Sequence, residues 1–187
     1  MLELGSYWSH YSMWLKKMRP DAIVTMVESE DENLEVGRHN FALNGYQGEF
    51  IQAFVGKGHF EVDAFLANRT LSSLDILHAD IQGFEVEMLN GAEQSLEAKK
   101  IQYVFISTHS QDLHEGVVSK LRSHGYRIEL SSDFDHQTTC YDGIVFASSP
   151  VTAPVLEPVA PLGRCEITTS SPEDLLVRLR KLKFGQI

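Results

Sequence analysis

The sequence predicts an α/β fold built on a mostly parallel sheet with helices on both faces. Three observations carry this. Short apolar runs rich in β-branched residues recur along the chain, amphipathic stretches of helical length separate them, and the runs are near-continuously apolar, as strands buried on both faces are. At 187 residues and 43% hydrophobic, the chain suffices for one well-buried core.

Taken in order, "LEL" is a strand fragment that turns into a helix over Ser6 to Met18. Trp8, Tyr11, Leu15 and Met18 fall at helical spacing on one face, expected to be buried. "AIVTMVE" is the next strand, followed by a helix from about Asp31 to Leu43 that closes on Asn44-Gly45, residues that tolerate the left-handed conformation. Gly37 inside that helix costs about 1 kcal/mol relative to alanine, so another element is expected to pack close to it. "EFIQAFVG" and "LDILHADI" are strands, and a helix follows from about Gly83 to Glu97. Then come the strand "IQYVFIST", a helix from about Leu113 to His124 ended by Gly125, and the strands "YRIEL" and "GIVFAS". After residue 148 the pattern breaks. "SPVTAPVLEPVAPLG" holds four of the six prolines and reads as an extended connector, and "SSPEDLLVRLRKLKF" as a short helix with a Ser cap, an initial Pro and acids in its first turn. The expected organisation is a domain over 1–148 followed by connector and helix over 149–187, with no internal repeat.

The charge balance narrows the partners. With 26 acidic and 16 basic residues, a net charge of -10, the chain lacks the Lys and Arg that a phosphate-tracking surface requires, so no nucleic acid is expected. The one basic cluster, "RLRKLKF", reads as a solvated helix face. Cys140 and Cys165 are far apart and indicate neither a disulfide framework nor a thiolate zinc site. No leader-like start and no apolar run of membrane-spanning length is present, which predicts a cytoplasmic protein without a membrane partner.

In open parallel sheets, ligands bind where strands end and helices begin. Those positions are polar here. Gly5 follows the first strand, where a missing Cβ lets a ligand approach the backbone. Glu28 ends its strand about twenty residues later, the spacing at which an acid accepts hydrogen bonds from ribose hydroxyls. Asp80 closes "LDILHAD" and His109 closes "IQYVFISTH"; as ends of successive strands, they are expected to lie near each other. Asp80 at such an edge could serve as general base, metal ligand or helix N-terminal charge.

Three segments, "LELGSYWSHYS", "VESEDENLEVGRHNFALNG" and "ADIQGFEVEMLNGAE", resemble the FkbM-type S-adenosylmethionine-dependent methyltransferases. The first resembles the family's glycine loop at Glu3, Gly5 and Ser12. Glu28, Asn33, Asn40, Leu43, Asn44 and Gly45 fit the second pattern, and Asp80, Gly83, Glu85, Leu89, Gly91 and Ala92 the third. His109 resembles the family's strand-end histidine. The departures are Tyr7 and Ser9 in the first loop, Gln82 in place of an acid, and Ser107 two residues before His109.

The resemblance, which covers roughly residues 1 to 148, implies a class I methyltransferase (Rossmann-like) sheet of seven strands, the last antiparallel. It implies S-adenosylmethionine as methyl donor. Glu3 would orient its methionine end, Gly5, Ser6 and Tyr7 would line it, Glu28 with Ser29 would hold the ribose, and Phe54 or Val55 would lie by the adenine. Asp80 would sit at the sulfonium methyl with His109 as the base for a small-molecule or carbohydrate hydroxyl, whether unaided or with a divalent metal on Asp80 and His109. His136 is a further acceptor contact on this reading, and a homodimer is compatible with it. Two rival readings remain: a truncated, non-catalytic cofactor- or partner-binding module, and a metal-dependent hydrolase using His78, Asp80 and His109.

Overall fold

The computed structural model describes residues 1–157 and 162–184. Seven strands, β1 (Leu2–Leu4), β2 (Thr25–Glu28), β3 (Glu49–Gln52), β4 (Leu74–Ala79), β5 (Ile101–Thr108), β6 (Arg127–Ser132) and β7 (Gly143–Ser148), form one sheet in the order β3-β2-β1-β4-β5-β7-β6. β1 to β5 pair in parallel, whereas β7 runs antiparallel to both β5 and β6. The expected mostly parallel sheet with an antiparallel last strand is therefore borne out. The order in which strands are added reverses at β1, with β2 and β3 on one side and β4 and β5 on the other, and this opens a crevice at the strand C-termini.

The helices are α1 (His10–Met18), α2 (Asp31–Leu43), α3 (Val62–Asn68), α4 (Glu85–Asn90), α5 (Glu93–Glu97), α6 (Gln111–Ser123), α7 (Arg164–Thr169) and α8 (Pro172–Phe184). Alternation along β1 divides the core in two. Leu2 and Leu4 join Leu77, Val104 and the apolar sides of α3 to α6 on one face. On the other face Met26 packs with Phe41 of α2 and with Met13 and Leu15 of α1. Gly37 does admit a close neighbour: a Cβ there would stand 2.5 Å from Ser9 Oγ.

The structure corrects the expected face of α1. Trp8, Tyr11 and Met18 are exposed, and the residues buried are Ser9, Ser12 and Lys16. Specific polar bonds decide this orientation. Ser12 N donates to Glu3 Oε2 at 3.0 Å, with the Ser12 hydroxyl on the same oxygen, and Lys16 Nζ donates to the carbonyls of Pro20 and Ala22 at 2.6 and 2.9 Å. Beside α1, Trp14, Leu15, Ile76, His78, Phe105 and Ile144 border an open groove of about 440 Å³.

The helix expected over Gly83 to Glu97 is two helices. It begins at Glu85, breaks at Gly91-Ala92 and resumes as α5. α3, a helix that the apolar periodicity does not show, packs into the break. Asp63 N donates to Gly91 O at 2.9 Å, and the Asp63 carboxylate accepts from Gln94 N and Ser95 N, both at 2.8 Å, supplying α5 with the cap its own sequence lacks.

Beyond β7, Glu129 ties the connector to the sheet by accepting from Val155 N and Leu156 N at 3.2 and 3.1 Å. α7, also missed, is held by Arg164, whose guanidinium donates to the Phe134 and Asp135 carbonyls. Ser171 Oγ accepts from Asp174 N at 3.2 Å as the cap of α8. The "RLRKLKF" run lies in α8, and the side chains of its last four residues fall outside the described ones. Among the described residues, no helix is long and apolar enough to cross a membrane.

Candidate functional site

A cavity of about 530 Å³ lies at the C-terminal ends of β1, β2 and β4, within the size range of small-molecule and cofactor pockets. Its floor is the turn after β1. Gly5 has φ +69°, and a Cβ there would stand 1.8 Å from Asp80 O, so only glycine fits. Gly5 N and Ser6 N both donate to Val27 O, at 2.9 and 3.0 Å, and Asp80 N donates to Leu4 O at 2.9 Å. The turn is thus strapped between the ends of β2 and β4. Tyr7 and Ser9 are also left-handed, at φ 47° and 61°, a conformation that costs a residue with a Cβ about 1 to 2 kcal/mol.

Glu28 fastens this loop from β2. Its Oε2 accepts from Tyr7 N at 2.8 Å and its Oε1 from Glu30 N at 3.0 Å. Oε1 also accepts from the Ser29 hydroxyl at 3.4 Å; a carboxylate oxygen has two acceptor positions, so Oε2 keeps one for a further donor. Ser29 lies beside it, and Phe54 packs edge-on against Phe84 at 4.7 Å across the mouth.

Glu3 and Ser6 do not line the cavity; both are buried beneath the loop. Burial pushes the Glu3 carboxyl up to about 7, against the opposing hydrogen bonds from Ser12. Glu3 Oε1, Ser6 Oγ and Ser9 Oγ are buried without a hydrogen-bond partner among the described residues.

At the far side of the cavity the ends of β4 and β5 bring Asp80 and His109 together. Asp80 Oδ1 stands 3.2 Å from His109 Nε2, outside hydrogen-bond geometry, and is buried with no hydrogen-bond partner among the described residues. Burial raises the Asp80 carboxyl above its usual range; His109 opposes that, while Asp142 and Glu85 add to it. His109 Nδ1 is 2.5 Å from Glu85 Oε1, and its Nε2 is also 3.3 Å from Gln82 Nε2 and 3.5 Å from Asp142 Oδ1. Gln82, one of the departures noted above, therefore lies directly on the imidazole.

His78 is not part of this cluster. It packs on the Tyr11 ring at 4.3 Å and faces the apolar groove; burial, with His10 nearby, lowers its imidazole to about 4. The set of His78, Asp80 and His109 expected for a metal hydrolase is not formed. Among the described residues, no group of three or more His, Cys, Asp or Glu side chains is arranged to hold a metal ion. His136 is exposed beside Asp133, at 3.4 Å, and does not line the cavity.

Sequence reasoning assigned no role to Glu85, Phe84 or Asp142. Glu85 had a signal in its motif match, and Phe84 in its place beside that motif. Asp142 had none, because it reaches His109 only through the antiparallel return of β7.

Residues 59–128 match the Methyltransferase FkbM domain family, over the stretch that carries Asp80, Glu85 and His109. No curated protein matches the sequence. Among solved structures, the chain is similar to a methyltransferase FkbM from Methylobacillus flagellatus KT, with 16% identity, a TM-score of 0.61, and coverage of 79% of this chain and 42% of that one. It is similar to TrmK of M. capricolum in complex with S-adenosyl-homocysteine, with 16% identity, a TM-score of 0.58, and coverage of 97% and 75%. A precorrin-6y C5,15-methyltransferase from Geobacter metallireducens GS-15 is similar at 14% identity and a TM-score of 0.58, with coverage of 79% and 78%. The fold is that of the class I methyltransferases, and the FkbM resemblance read from the sequence is borne out over the matched stretch. The chain spans less than half of the FkbM structure it resembles.

Proposed function

We propose that this chain is an S-adenosylmethionine-dependent methyltransferase domain that methylates the hydroxyl of a small molecule or sugar. The observation that carries the reading is the convergence on one cavity of a glycine turn, a ribose-compatible carboxylate at Glu28, and Asp80 with a buried, unpartnered oxygen beside His109. The residues present fit the donor. Glu28 would take a ribose hydroxyl through the acceptor position its Oε2 retains, with Ser29 beside it. Gly5 and Tyr7 would face the methionine end, and Phe54 the adenine. Glu3 and Ser6, lying beneath the loop, would act by fixing its shape.

The donor, when bound, supplies a methyl on a sulfonium for in-line displacement. What the protein adds is alignment and removal of the acceptor proton. An imidazole is a better base for a hydroxyl than a carboxylate, so His109 takes that proton, and the Asp80 carboxylate beside Nε2 stabilises the charge the ring gains. No metal is required on this reading. The net charge of -10 favours neutral acceptors over nucleic acid.

Calorimetric titration with S-adenosylmethionine and S-adenosylhomocysteine tests the reading. Heat of binding is expected for both, weakened about tenfold or more by Glu28→Ala, followed by transfer of labelled methyl to a panel of sugar and small-molecule hydroxyls. Absence of binding at millimolar donor overturns it. Binding without transfer to any acceptor points instead to a non-catalytic cofactor-binding module.

A further inference from the structure

The surroundings of His109 are asymmetric. Nδ1 faces inward to Glu85, which is fully buried, and Glu85 Oε1 is itself held by Gly83 N at 3.0 Å. Nε2 faces the rim, where Asp80, Gln82 and Asp142 stand at 3.2 to 3.5 Å. A carboxylate is an acceptor only, so Glu85 calls for a proton on Nδ1. Asp80 and Asp142 stand beside Nε2 outside hydrogen-bond geometry, so the group bonded to that nitrogen is the Gln82 amide, which donates and calls for a lone pair on Nε2.

We propose that Glu85 is a positioning residue that fixes His109 as its Nδ1–H tautomer and so leaves Nε2 as the proton-accepting atom. The Gln82 amide covers that atom until an acceptor hydroxyl displaces it. This rests on the reading of His109 as the base. The groups facing the imidazole are Asp80 from the end of β4, Gln82 and Glu85 from the turn and α4, and Asp142 from the loop before β7. All three charged ones are carboxylates, so a proton gained at Nε2 is stabilised from every side. During transfer the acceptor hydroxyl gives its proton to Nε2 as its oxygen takes the methyl from the sulfonium, whose S–C bonding pair stays on sulfur. The proton then leaves Nε2 for solvent. Glu85 contacts neither reactant and acts through His109 alone.

The test is the two-bond ¹H–¹⁵N spectrum of the imidazoles in the ¹⁵N-labelled full chain, with His109 assigned by His109→Gln. With its ring neutral, His109 is expected to show a protonated Nδ1 and an unprotonated Nε2. In Glu85→Gln, whose amide can donate as well as accept, that preference is expected to be lost and both tautomers to appear. A proton on Nε2 in the neutral wild-type ring, or an unchanged tautomer in a folded Glu85→Gln, overturns the proposal. Should that variant fail to fold, the wild-type tautomer decides alone. The measurement uses neither donor nor acceptor, so it stands apart from the methyltransferase reading: the expected tautomer without methyl transfer overturns that reading and not the pairing. Where transfer is measured, Glu85→Gln is expected to lower kcat with donor affinity unchanged.

Discussion

Ser9→Gly should stabilise the protein, although serine to glycine ordinarily does the reverse. Ser9 is left-handed at φ 61°, and its hydroxyl is buried with no hydrogen-bond partner among the described residues. Relief of the left-handed strain is worth about 1 to 2 kcal/mol, and removal of an unsatisfied buried hydroxyl about 1 to 3 kcal/mol. Against these stands the extra freedom of glycine in the unfolded chain, about 0.5 to 1 kcal/mol. The balance is about 2 kcal/mol in favour of the variant, which for a chain of this size is a rise in Tm of about 4 to 8 °C. The backbone bonds from Ser9 N to Ser6 O and from Met13 N to Ser9 O survive the change. Thermal unfolding of the ligand-free chain by calorimetry and circular dichroism reads the effect, and Ser9→Ala separates the two contributions because it removes the hydroxyl and keeps the strain. A Tm for Ser9→Gly at or below wild type would refute the reasoning, since it would mean that the hydroxyl is engaged or the backbone is not left-handed.

Gly5→Ala should prevent folding or lower Tm severely, because its Cβ has only 1.8 Å to Asp80 O and the backbone is left-handed; a near-native unfolding curve would show that the strap between β2 and β4 is absent. Stability should also depend on pH through Glu3, whose folded carboxyl titrates near 7 against 4.5 unfolded. Between those values the folded state keeps a proton that the unfolded state has released, so stability falls as pH rises from about 4.5 to about 7 and then levels. Urea midpoints across that range should follow this slope in wild type and lose it in Glu3→Gln; equal slopes in the two proteins would count against a buried, protonated Glu3.

Much of this was legible in the sequence because it depends on local pattern. Period distinguishes buried strands from amphipathic helices, and a parallel sheet sends every strand end to the same edge. Gly5, Glu28, Asp80 and His109 could therefore be placed together from their positions alone. Gly37 was legible too, since a glycine that weakens a helix has a packing reason, here Ser9.

What failed was burial set by polar partners remote in the chain. The apolar spacing of Trp8, Tyr11 and Met18 pointed to one face of α1, yet Ser12 and Lys16 are inside because Glu3 and the Pro20 and Ala22 carbonyls hold them there. The break at Gly91 required Asp63 from a helix the periodicity did not show. By itself the sequence determined the sheet, most of the helices that cover it and the edge where chemistry gathers. Only the tertiary structure decided that His78 turns away from that edge and that Glu85 and Asp142 meet His109. Period reports which residues are apolar, whereas the partner of a buried charge is chosen by chain segments that pattern does not connect.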